Sequence, residues 1–474
     1  KGRRGARLAA LTSGGAIPDQ GDYTVVEEPQ GLVVGTINED FAIESMAGDI
    51  FQLGTTSWRI LRVDRGTVRV EDAKGQPPSI PFWLGEAPAR TRELSARIDG
   101  LRDAVSAQLE AGRDADWLER WLVEARGLPP AAARQLAAYL AATHAALGGL
   151  PTEKNIVFER FHDDLGGSQI VIHAPLGGRV TRAWGLALRK RFCRSFDFEL
   201  QAAATEDAVL LSVGAVEGVD LSALPKFLSS KTVREVLVQA LLDAPMFGTR
   251  FRWNATRALT LLRMRGGKRV PPGLQRLEAE DLLVSLFPEQ VACLENIVGD
   301  REIPDAVLVR QTVHDCLHEA MDIDGLEDVL RRVEAGEITI RCVETVMPSP
   351  LAHEILAAKP YAFLDDVPLE ERRVQAVFVP RGLDGQGAPL DPAIVAEVLA
   401  ELHTPLADRD EAHDLLLQTG FLFDDELVAV GGACMAALLG ELALAGRVRR
   451  VPIGAGLRRG AHVAIERLAR VATL

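Results

Sequence analysis

From residue 17 to 90 the chain alternates short apolar and polar runs. Tyr23–Glu27, Leu32–Ile37, Phe41–Glu44, Ile50–Leu53, Ser57–Val63 and Thr67–Glu71 are rich in β-branched and aromatic residues and are separated by Gly, Asp and Asn. Strands this short and evenly spaced predict a small barrel-like module or meander. Gly75-Gln76-Pro77-Pro78 then breaks the pattern. From Glu93 to about Leu147 the period turns helical. Leu94, Ile98, Leu101 and Val105 recur at spacings of three and four, and the Ala-rich stretch 131–146 holds strong helix formers. Gly148-Gly149-Leu150-Pro151 reads as a linker.

A second β-containing unit begins near Asn155. Ile156–Phe158 and Gln169–His173 read as paired strands around a turn at Asp163–Gly167. A helix is expected from about Val180 to Arg194, then strands at Phe198–Ala202 and Ala208–Val213. Helices are expected next over 222–228, 231–243, 249–265, 274–287, 304–321 and 325–335, with a strand at Ile338–Val343. Pro348-Ser349-Pro350 marks a boundary at which Ser349 is placed to cap a helix over 351–358. Arg381–Pro392 reads as a linker, and 392–474 has a winged-helix-like rhythm of helices and short loops. The predicted class is α+β and multidomain.

The chain has 474 residues, which at about 150 per domain suggests roughly three domains. Its 47% hydrophobic and 25% charged residues exclude wholesale disorder. Lys and Arg number 53 against 67 Asp and Glu, a net charge of −14, which excludes a uniformly basic nucleic-acid-binding chain but not local basic patches. No apolar run reaches the ~18–20 residues of a membrane span. No signal-peptide core follows the basic N-terminus. Cys193, Cys293, Cys316, Cys342 and Cys434 are scattered without a CxxC pair, as expected for reduced thiols in a cytoplasmic protein. The first residue is not Met, so a fragment of a longer protein is expected.

No G-x-x-x-x-G-K followed by Ser or Thr occurs, and Gly266-Gly267-Lys268 is followed by Arg269. Asp-Glu-x-Asp and Asp-Glu-x-His are also absent. The chain alone is therefore expected neither to bind ATP in a phosphate-cradling loop nor to hydrolyse it. His314 and His318 are four apart on a predicted helix with no obvious third ligand, so a solvated face is preferred to a metal site. A G-x-S-x-G nucleophile elbow is missing.

Charge distribution says more. Residues 244–277 contain Arg250, Arg252, Arg257, Arg263, Arg265, Lys268, Arg269 and Arg276 and no carboxylate, so the other 440 residues carry −22, that is −14 less 8. Residues 177–194 contain Arg179, Arg182, Arg189, Lys190, Arg191 and Arg194, again without a carboxylate. At 100° per residue five of these six share one helix face, opposite Val180, Trp184, Ala187, Leu188 and Phe192. A basic stripe of this kind is the footprint expected for phosphate contacts, with a merely solvated face as the alternative. Trp58, in Gly54-Thr55-Thr56-Ser57-Trp58-Arg59, is open to two readings: a core residue of the small barrel, or a base-stacking platform beside Arg59.

These stretches together resemble the large-helicase-related (Lhr) family of superfamily 2 helicases, downstream of the motor. The resemblance is carried by Thr12-Ser13-Gly14-Gly15-Ala16-Ile17-Pro18-Asp19, by residues 48–60 from Gly48-Asp49-Ile50 to Trp58-Arg59-Ile60, and by Pro81-Phe82-Trp83-Leu84-Gly85-Glu86. It continues in Val171-Ile172-His173-Ala174-Pro175-Leu176-Gly177, in residues 246–257 around Gly248-Thr249-Arg250-Phe251-Arg252-Trp253, and in Phe363-Leu364-Asp365-Asp366 and its continuation to Arg373. It covers roughly residues 10–376, and 392–474 looks more weakly like the start of the winged-helix-rich extension of long members. The resemblance implies an ATP-dependent 3′-to-5′ translocase on single-stranded DNA, unwinding duplexes that include RNA:DNA hybrids and linked to DNA repair. ATP and Mg2+ would belong to two RecA-like motor domains upstream of Lys1, not to this chain.

The organisation expected is the end of an upstream winged helix at 1–16, a β-barrel-like module at 17–90 and a helical linker at 91–150. A mixed α/β DEAD/H-associated domain would span 151–347, a closing segment and linker 348–391, and the start of a C-terminal extension 392–474. Nucleic-acid contacts are expected from Trp58, Arg59, Arg179, Arg182, Arg189, Lys190, Arg250, Arg257, Lys268 and Arg269, with Trp58 favoured over Trp83 as the platform. The alternatives are a non-motor module for oligomerisation or repair-partner docking and, further off, a DNA glycosylase, which needs a positioned carboxylate beside a flipped-base pocket.

Overall fold

The computed structural model describes residues 2–12, 17, 21–79, 81–82, 89–162, 167–196, 200–214, 220–290, 299–362, 406, 408–427, 434–453 and 459–471. Trp83, the turn at 163–166, the closing segment from 363 and the linker at 381–392 lie outside these residues. The chain divides into two compact units, with the division near residue 380.

After a short helix α1 (Ala6–Thr12), the first unit forms β1 (Asp22–Glu27), β2 (Leu32–Asn38), β3 (Ile50–Leu53), β4 (Thr56–Asp64) and β5 (Thr67–Asp72). They make one sheet in the order β2-β1-β5-β4-β3. All neighbours are antiparallel except β1 and β5. No ladder joins the edge strands β2 and β3 among the described residues, so the expected barrel is an open sheet. Its ends approach through side chains instead: a Cβ on Gly35 of β2 would lie 2.9 Å from Leu53 Cδ2 of β3.

The period-2 pattern directs Val25, Phe51, Trp58, Ile60, Val68 and Val70 to one buried face. The strand expected at Phe41–Glu44 is instead part of a helix, α2 (Glu39–Glu44). Asn38 caps it by accepting a hydrogen bond from Asp40 N at 2.9 Å, and Glu39 and Asp40 occupy the electropositive first turn. An apolar run of only three residues, Phe41-Ala42-Ile43, is ambiguous between the two periods, and the cap decides it.

Three linker helices come next, α3 (Arg92–Glu110), α4 (Ala115–Arg126) and α5 (Pro130–Leu147). Thr91 and Asp114 cap the first two, and Val105, Leu118, Leu122, Ala137 and Leu140 form their common core. The mixed domain is built on β6 (Asn155–His162), β7 (Ser168–His173), β8 (Gln201–Ala204), β9 (Ala208–Gly214) and β12 (Thr339–Glu344), in the order β12-β6-β7-β9-β8. Only β12 and β6 are parallel in this sheet.

Ile156, Phe158, Ile170, Ile172, Val209 and Leu211 face a core shared with α6 (Gly178–Phe196), α7 (Val233–Leu241) and α11 (Ile323–Glu334). Phe161, Val171 and Leu210 face α12 (Pro350–Ala362) on the other side. Covered on both faces, β7 is buried at every position. The remaining elements are α8 (Pro245–Arg257), the two-residue strands β10 (Met264–Arg265) and β11 (Lys268–Arg269), α9 (Pro272–Leu286) and α10 (Val307–Asp315), which runs into a π-helical turn at Cys316–Ala320. No helix of the described residues is long and apolar enough to cross a membrane.

One buried carboxylate fastens the closing helix to this sheet. Glu159 of β6 is fully buried. It accepts hydrogen bonds from Ser349 N (2.7 Å), Ser349 Oγ (2.6 Å) and Thr345 Oγ1 (2.9 Å), and lies 2.7 Å from His173 Nε2 of β7. Ser349 Oγ in turn accepts from Ala352 N at 3.2 Å, the N-cap of α12. Burial alone pushes Glu159 up, but the bonds from His173 and Ser349 outweigh it and hold the carboxyl below its usual range.

The second unit has a helix at Arg409–Thr419, a strand at Leu422–Phe423, a helix at Met435–Leu444 and a hairpin of Val448–Ile453 with Arg459–Ala464. The three strands form an antiparallel sheet whose central strand is Arg459–Ala464. Ala412, Leu416, Met435, Leu439 and Leu442 fill its core.

Replacing Glu159 with Ala leaves His173, Thr345 and Ser349 without their acceptor. In denaturant unfolding it should cost about 1–3 kcal/mol for each buried donor left unsatisfied. Because the folded pKa is depressed, this stability is present above the ordinary carboxylate range and lost as pH falls through the folded value. The gap between wild type and Glu159→Ala should therefore narrow in acid; a gap that is constant with pH would contradict the assignment.

Candidate nucleic-acid interface

The apolar face of α6 packs as its sequence requires: Val180, Trp184, Ala187, Leu188 and Phe192 are buried, with Trp184 edge-on to Phe158 at 6.3 Å. The basic face is where structure and sequence part. Arg179 Nη2 donates to His318 O and, at 3.0 Å, to Met321 O. Arg182 Nη1 donates to Ala320 O at 3.0 Å. These carbonyls end the turn after α10, where no intrahelical donor remains, and the two guanidinium groups supply one.

Arg189 Nε donates to Leu200 O at 3.3 Å, and Lys190 Nζ lies 2.6 Å from Asp243 Oδ2. Asp243 also accepts from Arg301 Nη1 at 2.6 Å. Burial pushes its carboxyl up, and the two cations more than offset this and hold it low. The expected phosphate-facing stripe of Arg179, Arg182, Arg189 and Lys190 is thus half-buried and held by the protein itself, whereas Arg191 and Arg194 of the same helix are exposed. Its four cations meet backbone carbonyls and a carboxylate that, Leu200 apart, are distant in sequence.

The second acid-free block divides. Arg250 is buried and donates to Glu319 Oε2 at 2.9 Å, so it too is placed in the interior. Arg252 and Arg276 converge on the fully buried Asp40 of α2, Arg252 at 3.8 Å, and Arg276 also reaches Glu44 at 3.6 Å. Beside them burial raises Glu39 above the usual carboxylate range despite the nearby Arg252. Arg263 donates to Ile17 O at 2.9 Å and Arg265 to Glu278 at 3.0 Å. The helix expected over 249–265 ends at Arg257, because Leu259 adopts a left-handed φ of 58°.

Beyond this break the chain forms a hairpin. Gly266 and Gly267, at φ 57° and 76°, make the tight turn that joins β10 to β11. Lys268 and Arg269 on this hairpin are exposed, and so is Arg257 at the end of α8.

Trp58 is 8% exposed, belongs to the sheet core, and donates its indole N–H to Leu53 O at 3.3 Å. It offers no open face to a base, so the stacking assignment is corrected to a core residue. Arg59 beside it is half-exposed, 3.3 Å from Glu71 and 2.6 Å from Gln76 Oε1. His314 and His318 stack at 4.4 Å, and among the described residues no group of three or more His, Cys, Asp or Glu is arranged to hold a metal ion. The partners Asp40, Asp243 and Glu319 are not recognisable from the sequence. Asn38-Glu39-Asp40, as a helix start, is the one local signal available for any of them.

Comparison with known proteins places this segment in a family. The family described as DEAD/H associated matches residues 150–352. The family described as large helicase-related protein, winged helix domain, matches residues 1–80, taking in the five-stranded sheet. The Lhr helicase/uracil glycosylase of Escherichia coli (strain K12) is 32% identical over 447 residues, covering 90% of this chain and 27% of that protein. The ATP-dependent helicase Lhr-Core of Methanothermobacter thermautotrophicus is 28% identical over 78% of this chain and 41% of its own length. A solved structure described as Mycobacterium smegmatis helicase Lhr bound to ssDNA and AMP-PNP superposes with a TM-score of 0.53 and 25% identity, covering 75% of this chain and 39% of that one. The chain belongs to the large-helicase-related family. It spans about a quarter of the length of the bacterial relative and two-fifths of the archaeal one.

Stability measurements separate the two kinds of basic residue. Lys190→Ala, which strips Asp243 of one partner, should lose about 1–3 kcal/mol, and Trp58→Ala about 3–5 kcal/mol. Lys268→Ala should stay within about 0.5 kcal/mol of wild type. A Lys190→Ala protein as stable as wild type would return that residue to the surface.

Proposed function

We propose that this chain is the nucleic-acid-binding accessory part of an Lhr-type ATP-dependent helicase that translocates 3′ to 5′ on single-stranded DNA. Its substrates would include RNA:DNA hybrids, its setting DNA repair in the cytoplasm, and its ATP and Mg2+ would sit in RecA-like motor domains upstream in the same polypeptide. The observation that carries this reading is the exposed hairpin with Lys268 and Arg269 at a Gly-Gly turn, together with the exposed Arg257, within the DEAD/H-associated region. Exposed cations on a short hairpin contact phosphates without reading sequence. The ssDNA in the related Mycobacterium smegmatis structure supports the same ligand class.

A second reading, a module that docks a repair partner, has its own support. Leu274, Leu277 and Val284 of α9 are 41%, 58% and 42% exposed, and their spacing puts them along one side of the helix.

Titrating single-strand binding against salt distinguishes the two. The chain should bind a single strand with a steep log–log salt slope, and Lys268→Ala or Arg269→Ala should each flatten that slope by about one, equally for all sequences. Lys190→Ala should leave the slope unchanged. No binding, or a slope indifferent to both hairpin variants, would favour the docking module.

A further inference from the structure

Trp117 and Trp121 stand four residues apart on α4, so the helical period puts both on one side of it. Both pack against the core of the linker helices and yet remain half-exposed. Their rings lie nearly parallel, 13° apart in plane, with 6.3 Å between centroids. Arg113 sits over the Trp117 ring at 5.2 Å, and Arg126 over the Trp121 ring at 5.1 Å. Both arginines are exposed, and so is Arg120, which lies between the two tryptophans in sequence. Two indoles lidded by two guanidinium groups therefore open to solvent on one helix.

The surroundings narrow what such a column can bind. Docking of an apolar protein surface needs contiguous apolar area, and the exposed neighbours of the two indoles are charged: Arg113, Asp116, Arg120, Glu124 and Arg126. Those charges also cancel. Arg113, Arg120 and Arg126 stand against Asp114, Asp116 and Glu124, while Glu119 is held by Arg134 at 3.2 Å. Long-range attraction to phosphates is therefore not the source of affinity here; the flat ring faces are. An exposed cation–π contact is worth less than the stacking of a base on an aromatic ring, so a base displaces Arg113 or Arg126 from its indole. Bases in a duplex have their faces occupied, which leaves the unpaired ones. We propose that Trp117 and Trp121 form a platform on α4 on which unpaired bases stack, separate from the phosphate-contacting hairpin. The choice of a nucleic acid as the occupant rests on the proposed nucleic-acid-binding function.

The test compares two probes on the full chain by fluorescence anisotropy: an oligothymidylate, and an abasic oligonucleotide of the same length that keeps the phosphates and lacks the bases. Trp117→Leu and Trp121→Leu, which retain an apolar contact with the linker core, should each weaken oligothymidylate binding about 5- to 150-fold. Neither should change the salt slope or the binding of the abasic probe. Oligothymidylate should also quench the tryptophan fluorescence of the unaltered chain. The Trp117→Phe/Trp121→Phe double variant, which keeps aromatic rings, should still bind while losing most of that quenching, a readout that does not depend on the Leu variants folding. Equal binding of the two probes by the unaltered chain would overturn the platform and leave the stripe to a protein partner. So would Leu variants that melt like wild type and bind oligothymidylate as tightly, or quenching that persists in the double variant. Lys268→Ala should flatten the salt slope for both probes. A normal hairpin effect with inert tryptophans removes the platform alone, tryptophan-dependent binding with an inert hairpin removes the hairpin reading alone, and no binding of either probe removes both.

Discussion

A guanidinium or ammonium taken out of water must be given acceptors, and this requirement governs the whole first unit. Arg179 and Arg182 receive theirs from the carbonyls at the end of the turn after α10. Lys190 and Arg301 share Asp243, and Arg250 takes Glu319. Arg252 and Arg276 meet on Asp40, which joins the helix α2 of the small sheet to α8 and α9 of the mixed domain. Acid-free stretches of sequence are therefore not acid-free in space. The carboxylates come from elsewhere in the chain, and most of the cations hold elements together. The hairpin cations, the one at the end of α8, and Arg191 and Arg194 of α6 stay at the surface.

Glu159 shows the same rule with the sign reversed. A carboxylate buried in a sheet covered on both faces is tolerable because His173, Thr345 and Ser349 surround it. Its partners lie on the neighbouring strand and just before α12, so satisfying the charge also fixes where the chain goes after β12. Packing and electrostatics thus specify one arrangement between them: alternation of apolar residues sets the two faces of the sheet, and the buried carboxylate sets the position of the element that closes one of them.

Much of this is legible in the sequence. Period-2 alternation locates most strands, Ser349 reads as a cap, and the apolar side of α6 can be assigned residue by residue. The failures share a cause. A helical wheel says which residues share a face but not what covers that face, so the stripe on α6 reads as solvent-facing when four of its cations are half-buried against the protein. The Thr-Thr-Ser lead-in draws Trp58 towards the surface, although the Leu53 carbonyl that receives its indole N–H is only five residues away. Phe41–Glu44 reads as a strand when the apolar run is given more weight than the Asn38 cap. Long-range partners such as Asp243 and Glu319 leave no local trace.

The central claim is that the hairpin, and not the basic face of α6, meets the nucleic acid. Residue-specific chemical modification, with lysine- and arginine-directed reagents read by mass spectrometry in the presence and absence of a single-stranded oligonucleotide, tests it most directly. Lys268, Arg269 and Arg257 should react readily in the free chain and become protected on binding, while Lys190 reacts slowly in both states and Arg182 and Arg189 do not change. Protection of Lys190, Arg182 and Arg189 with an unaltered hairpin would contradict it.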